Sequence, residues 1–598
     1  MQSGNLSSRT LSVLAALFIF GYFLLFSYNG LSAHLSFDDG MNFVAMHHQW
    51  DVPLWRNILD SLKVFTTAPR PLGALFYRPL YYFFGFNSLP YRIVVYLFLT
   101  FNIVLAYRFA RALGATREAS TLSTLLFCYN ASLLDLYYNT GTVYDVLCFS
   151  LYFGALLIYI RERSRHNRLS VRTMVTVTLL YLASLDAKEM AVLLPFALFL
   201  YEALYRRQDF KSRPLVVRVG SFLAVISIIT AIFLKVKVTD MSTNQFYHPH
   251  VSVAFVLTGI GHYFEQFFYL KPESFGAGRV AVAIALLLGA GAVLRSRTVI
   301  YATLFFFVGL LPVAIIPPRG GYAAYVAFPG LTLALGVILA STRAALVRLT
   351  KKENLAQASM IALFLCVAVA PVKYFAHYRK VFMGNVLWSQ ERVIGLLEGF
   401  KKNVPEFPPN GRILILDDPW GPDWGPMFLT QLQYHDPHVW VDRRHNNEKP
   451  GDRDSYDLLL TYKQPFIDMS PAKFFGLFKM NWEIRATTTI EGEFILSAPS
   501  ESRAPRNIDF SPVAARTGRP VKVTVPGVSS VKIDAVYRIL SDGQSTVYVA
   551  QGWCTLDDKG TCTVTAPRAG QVGILAVDWI RRPNERWIFT NGILTIVE

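Results

Sequence analysis

The sequence predicts a polytopic α-helical membrane protein with about eleven transmembrane helices, followed by a soluble α/β unit and a C-terminal β-sandwich. Three observations carry that prediction. Only 17% of the 598 residues are charged, 53% are hydrophobic and the mean hydropathy is +0.33, whereas a soluble chain carries about 25% charged residues. Apolar runs of roughly the ~20 residues that cross a bilayer recur through the first two thirds and stop near position 375. Beyond that point the pattern changes to short alternating runs. Disorder, a nucleic-acid scaffold and an ordinary cytosolic enzyme are excluded together.

The expected spans are 10–29, 91–110, 119–136, 143–160, 172–186, 189–205, 217–235, 278–294, 299–316, 323–341 and 356–375. The first lacks an A-x-A-like site after Tyr28-Asn29-Gly30, so it reads as an anchor rather than a cleaved signal. The loops alternate in charge. Arg108, Arg111 and Arg117 share one side with the Arg161–Arg168 run, with Arg206, Arg207, Lys211, Arg213 and Arg218, with Arg295 and Arg297, and with Arg343, Arg348, Lys351 and Lys352. Net charge is +17, from 58 basic and 41 acidic side chains. Because the excess sits in short loops between spans, it sets topology and implies no nucleic-acid partner. The basic side is expected to be cytoplasmic. Loop 30–90 and everything after 375 then face the other way.

The tail divides into a connector helix over 376–403, an α/β domain over 404–497 and a β-sandwich over 506–598, following a membrane domain over 1–375. Arg412–Leu416 reads as a buried strand ending on Asp417-Asp418, 424–434 as a helix, and Val439–Val441 and Asp457–Thr461 as further strands. Ser497–Pro505 is a polar linker, and roughly seven short strands follow it, the sandwich pattern. Cys554 and Cys562 flank a turn at Asp557–Gly560. Read as a hairpin, that segment sets the two cysteines opposite one another and predicts a disulfide on the oxidising side. The alternative is a pair of reduced buried thiols.

Chemistry concentrates at the boundaries of the apolar runs. Asp38 and Asp39 directly follow the first span, as a site or as a helix-capping or solvated pair. Pro53–Phe65 sets Leu54, Ile58, Leu62 and Phe65 on one helical face, which would lie in the membrane interface. Arg70-Pro71-Leu72 and Arg78-Pro79-Leu80 place arginines against the positive-inside bias. A phosphate partner fits the guanidinium fork, and headgroup snorkelling is the alternative. Asp145, Asp186-Ala187-Lys188-Glu189 and the Pro317–Tyr325 segment with Arg319, Tyr322 and Tyr325 also interrupt apolar runs. Ionisable groups at such depth are costly and mark functional sites, although Lys188 and Glu189 could instead satisfy each other.

In this order these pieces resemble the GT-C class of lipid-linked-sugar glycosyltransferases, in particular the protein O-mannosyltransferases and the tetratricopeptide-containing transmembrane O-mannosyltransferases. The acidic pair after the first span is matched by Asp38-Asp39. The Arg-Pro-Leu segment is matched by Arg78-Pro79-Leu80 or Arg70-Pro71-Leu72, and a Gly-x-x-Asp loosely by Gly141 and Asp145. Lys188-Glu189-Met-Ala-Val-Leu-Leu-Pro195 resembles the family's Lys-Glu segment. Arg319-Gly-Gly-Tyr-Ala-Ala-Tyr-Val-Ala-Phe-Pro329 is similar to its Arg-Tyr-Leu-Tyr-x-Pro segment, with the arginine displaced. The likeness covers 10–375; the tail has no tetratricopeptide repeats, and mannose is not implied.

The resemblance implies inverting transfer of a sugar from a polyprenyl-phosphate-linked donor to an acceptor hydroxyl on a glycan or protein, at the exoplasmic face. Asp38 would be the base and Asp39 the orienting group. Arg78 and Lys188 would hold phosphate, with Arg319 a third candidate and Arg70 taking over should Arg78 point at bulk water, and Asp145, Glu189, Tyr322 and Tyr325 would complete the site. No cofactor is required. A divalent metal could sit at Asp38/Asp39, though no His/Asp cluster demands one. A bacterial inner membrane with the tail on the periplasmic side is the expected setting. The alternatives are a transporter or flippase of lipid-linked glycans, which would carry mid-span charges and repeat symmetry, and a non-catalytic scaffold for the tail.

Overall fold

The computed structural model describes residues 8–42, 52–61, 70–166, 169–241, 248–350, 358–369, 407–417, 425–443 and 456–463, single positions between 390 and 401, and strand segments between 493 and 597. The chain separates into two units, Met1–Gln390 and Glu391–Glu598.

The first unit is helical. Its elements begin with α1 (Ser8–Ser27), α2 (Phe37–Met41), α3 (Leu54–Ser61), α4 (Ala74–Phe84), α5 (Ser88–Ala112) and α6 (Arg117–Cys128). Next come α7 (Leu134–Tyr138), α8 (Val143–His166), α9 (Val171–Ala187), α10 (Leu194–Tyr205), α11 (Arg213–Met241) and α12 (Val253–Phe267). The series closes with α13 (Ala277–Val293), α14 (Arg297–Gly309), α15 (Leu311–Ala314), α16 (Phe328–Thr350) and α17 (Ala358–Val369). Among the described residues six stretches are long and apolar enough to cross a membrane: Ser12–Ser32, Ser88–Ala112, Thr140–Arg165, Arg213–Val236, Arg297–Ala314 and Phe328–Leu349. The chain is an integral, multi-pass membrane protein.

Several expected spans take another form. The run expected over 119–136 breaks where Tyr129 turns extended and Asn130 caps a new turn, its side chain accepting from the Ser132 amide at 2.9 Å. The run over 189–205 opens as a 3-10 turn, Glu189–Leu193, before α10. Loop 236–277 holds α12, which Ser252 caps. Among the described residues, loop 30–90 carries the helices α2, α3 and α4. In α3, Leu54 and Ile58 are half-buried while Trp55 and Leu59 stay exposed; Leu62, Phe65 and most of the connector 376–403 lie outside the described residues.

α8 packs on α5 and α9, and α16 on α6 and α14. The core between them is aromatic. Phe127 stacks on Tyr325 with centroids 5.4 Å apart, Phe149 on Phe153 at 4.3 Å and Phe267 on Phe328 at 4.3 Å. One buried arginine that the sequence reading missed ties α1 to the start of α8. Arg92 donates to the Gly30 carbonyl at 2.8 Å, to Thr140 Oγ1 at 3.2 Å and to the Tyr137 carbonyl. Gly30 lies so close that a Cβ there would run into the Tyr137 carbonyl and the Tyr96 hydroxyl. At the basic loops, Arg163 is buried against Glu202 at 2.7 Å and Asp209 at 2.9 Å, pinning α8 to α10 and to the turn after it.

In the second unit, β1 (Arg412–Asp417), α18 (Gly425–Tyr434), β2 (Trp440–Arg443), β3 (Leu458–Lys463) and β4 (Glu493–Ser497) form a four-stranded sheet with its helix. The order is β2-β1-β3-β4, with β1 parallel to both neighbours and β4 antiparallel to β3. The apolar Ile-Leu-Ile run of β1 is what a strand flanked on both sides requires. Asp418 lies outside the described residues.

Eight further strands follow: β5 (Asp509–Ser511), β6 (Ala514–Arg516), β7 (Pro520–Thr524), β8 (Lys532–Ser541), β9 (Gln544–Thr555), β10 (Thr561–Thr565), β11 (Gly570–Val577) and β12 (Leu594–Val597). They form a three-stranded sheet, β10-β7-β5, and a five-stranded sheet, β6-β12-β11-β8-β9. Cys554 and Cys562 are joined, with Cα atoms 6.3 Å apart. They are not a ladder pair, however. Cys554 on β9 faces Ile533, and Cys562 on β10 faces Val523. The bridge spans the Asp557–Gly560 turn, across which the Asp557 amide donates to the Thr561 carbonyl at 2.8 Å, and it links edge strands of two sheets.

Candidate active site

The site begins where α1 ends. Ser36 caps α2, and Asp39 at the third helical position answers it, a capping box that stabilises a helix of only five residues. Asp39 Oδ2 accepts from the Ser36 amide at 2.7 Å and from Ser36 Oγ at 3.0 Å, while Oδ1 accepts from the Tyr77 hydroxyl at 2.9 Å. With both oxygens engaged, Asp39 is 0% exposed. Burial, opposed by those hydrogen bonds, pushes its carboxyl up to about 6. Asp38, the next residue back on the same turn, is exposed. Its side chain lies over Gly141, where a Cβ would stand 3.1 Å from Asp38 Cβ. The acidic pair thus splits into a buried anchor and a presented carboxylate. Both oxygens of Asp39 are taken by protein donors, so Asp39 offers no second carboxylate to a cation and the pair does not fit a divalent metal. Among the described residues no group of three or more His, Cys, Asp or Glu could hold a metal ion.

The charged boundary residues converge at the start of α8 and the end of α9. Lys188 caps the turn after α9, and its Nζ lies 2.5 Å from both carboxylate oxygens of Asp145. It also stands 5.3 Å from the centroid of the Tyr322 ring. Glu189 instead pairs with Arg70 at 3.4 Å, and the Arg70 guanidinium lies 5.3 Å from the Tyr144 ring centroid. Arg70 adopts φ +52°, a left-handed conformation that costs a non-glycine residue on the order of 1–3 kcal/mol. Backbone strain of this kind persists only where the surroundings enforce it.

Of the two Arg-Pro-Leu arginines, Arg70 pairs with Glu189, and Arg78 is buried on α4 rather than pointed at bulk water. Tyr322 meets Lys188. Tyr325 is 3% exposed and packs between Phe127 and Phe149, so it belongs to the core and cannot meet a sugar. Arg319 is half-buried. Its carbonyl accepts from Gln266 Nε2 at 3.2 Å and lies 3.0 Å from His262 Nε2, so α12 fixes the loop that carries it.

Sequence reasoning also missed Asp135, which fell inside an expected span. On α7, between α6 and α8, it sits beside Gly320, where a Cβ would lie 3.2 Å from Asp135 Oδ2. Burial first, and then the nearby charges of Asp38 and Asp145, push its carboxyl up to about 6. The findable signal was an ionisable residue within an apolar run, Leu133-Leu-Asp-Leu-Tyr137.

The arrangement offers one exposed carboxylate and two cations restrained by carboxylates, each beside an aromatic ring. No protein-family model and no curated protein matches the sequence. Solved structures give distant likenesses. The archaeal oligosaccharyltransferase AglB from Archaeoglobus fulgidus, in complex with an inhibitory peptide and a dolichol-phosphate, is 10% identical, with 98% of each chain covered and a TM-score of 0.45. The apo form of the Archaeoglobus fulgidus oligosaccharyltransferase gives 10% identity, 98% of each chain and 0.43. ArnT from Cupriavidus metallidurans bound to undecaprenyl phosphate is 13% identical over 79% of this chain and 95% of that one, with a TM-score of 0.43. At this distance the chemistry of the site rests on its own residues.

Proposed function

We propose that this chain is a GT-C-type membrane glycosyltransferase. It would transfer a sugar from a polyprenyl-phosphate-linked donor to an acceptor hydroxyl on a glycan or protein at the exoplasmic face. The observation that carries the reading is the meeting of Lys188, Arg70 and Tyr322 around the start of α8, with Asp38 of α2 lying over Gly141 just before that helix. Two cations at a membrane boundary, one on a strained backbone, suit a lipid phosphate, and an exposed carboxylate close by suits a hydroxyl nucleophile.

In this mechanism Asp38 accepts the proton of the acceptor hydroxyl. The oxygen attacks the anomeric carbon in line as the bond from that carbon to the phosphate oxygen breaks, and configuration inverts. The electron pair leaves on the lipid phosphate, where Lys188 and Arg70 stabilise the added charge. Asp39 never meets substrate; it holds the turn that aims Asp38. Arg319 is a further phosphate ligand and Tyr322 flanks the sugar. No step passes through a metal.

In the accompanying topology α6, α9, α10, α13 and α17 add crossings to the six long ones, giving eleven. The basic loops are cytoplasmic, and residues 404–497 and 506–598 are exoplasmic domains, periplasmic if the membrane is a bacterial inner membrane. Purified protein incubated with polyprenyl-phosphate sugars should release the lipid phosphate and glycosylate an acceptor. Release with no glycosylated product would replace transfer by hydrolysis. No release from any donor would overturn the reading in favour of transport or a scaffold.

A further inference from the structure

A continuous polar chain runs through the protein between the Asp38/Asp39 turn and Arg70. The Tyr144 hydroxyl donates to Asn42 Oδ1 at 3.0 Å, Asn42 Nδ2 donates to the Tyr77 oxygen at 3.4 Å, and the Tyr77 hydroxyl donates to Asp39 Oδ1 at 2.9 Å. All four side chains are buried: Tyr144 is 1% exposed, Asn42 3%, and Tyr77 and Asp39 0%. At the far end the Tyr144 ring seats the Arg70 guanidinium, which also holds Glu189.

We propose that Asn42 and Tyr144 are positioning residues that couple occupancy of the cationic end of the site to the placement of Asp38. This rests on the proposed glycosyl-transfer reading and assigns that site a means of sensing its donor. Three features support it. Each donor in the chain points toward Asp39, so the links polarise one another and the carboxylate terminates them. The asparagine amide accepts from one tyrosine with its oxygen and donates to the next with its nitrogen at the same time. The chain ends on the one carboxylate whose neighbour in sequence is Asp38, on a helix too short to hold its own shape without the Ser36–Asp39 cap. An anion that draws Arg70 from Glu189 must move it over the Tyr144 ring, and the hydroxyl of that ring is the first link of the chain. The donor phosphate would thereby settle the turn that carries the base.

The test is hydrogen exchange of the 36–42 segment in nanodiscs, with and without a polyprenyl monophosphate such as undecaprenyl phosphate. Wild-type protein should gain protection at these amides when the lipid is added. Tyr144→Phe keeps the ring under Arg70 and removes only the hydroxyl, so it should bind the lipid with unchanged affinity and lose the ligand-induced protection. Asn42→Ser, which cannot span both tyrosines, should behave alike and serves if Tyr144→Phe does not fold. A merely structural role would change basal protection while leaving the ligand-induced increment in place. Lipid binding by wild type with no increment, or an increment that survives in the variants, would overturn the coupling and leave the glycosyltransferase reading standing. If wild type fails to bind the lipid at all, both fall.

Discussion

Lys188 Nζ lies 2.5 Å from each carboxylate oxygen of Asp145, while Glu189, the next residue in the chain, reaches away to Arg70. Adjacent residues at the start of a 3-10 turn point in different directions, so the two charges do not neutralise each other. Each cation meets a carboxylate from another element.

Removing Lys188 should therefore damage the protein in two separable ways. Lys188→Met strands the buried Asp145 charge, an effect of about 3–5 kcal/mol for a broken buried pair. Adding Asp145→Asn should recover much of the thermal midpoint but none of the polyprenyl-phosphate binding. Thermal unfolding and lipid binding on the two variants check this. Recovery of binding in the double variant would remove Lys188 from the phosphate site.

The acidic pair should separate by phenotype. Asp38→Asn should keep the protein folded and lower turnover by about 10²–10⁴-fold, the range for a lost general base. Asp39→Ala should instead lower stability by about 1–3 kcal/mol, because Tyr77 and Ser36 lose a buried acceptor. Full turnover in Asp38→Asn would end its assignment as base.

Asp135 should make stability depend on pH. Its carboxyl lies near 3.8 when unfolded and is raised to about 6 by burial and by Asp38 and Asp145. Between those values the native state holds the proton and the unfolded state does not, so stability is highest below about 4 and falls as pH rises to about 6. Asp135→Asn should raise the thermal midpoint at pH 7 and flatten the profile between pH 4 and 6.5. An unchanged slope would mean that Asp135 does not carry this dependence.

Cys554 and Cys562 should resist alkylation in protein purified without reductant. Reduction should cost on the order of 2–3 kcal/mol by the chain-entropy estimate for a short loop. Mass mapping of alkylated peptides reads this directly. Free thiols at both positions would count against the bridge and against an oxidising location for the tail.

How much of the site could be read from sequence follows from what makes charge conspicuous. Asp38, Lys188 and Asp145 stand out because water is absent on at least one side, and an apolar run makes any ionisable interruption costly. Asp135 and Arg92 interrupt apolar runs in the same way, but each fell within a segment read as continuous membrane helix and was absorbed into it. Hairpin logic found the turn that brings the two cysteines together but not the pairing: the strands on either side of it belong to different sheets.

By itself the sequence determined that the chain is a multi-pass helical membrane protein and which boundary residues carry charge. Composition and periodicity are local, and the bilayer and the strand pleat read them locally. Tertiary structure decided the partners. It made Asp39 an anchor and Asp38 the presented group, paired Arg70 with Glu189, gave Asp145 to Lys188, and moved Tyr325 into the core. Those choices depend on which helix ends meet in space, and contacts between residues roughly 40 to 120 positions apart are set by packing of whole helices, which no local pattern encodes.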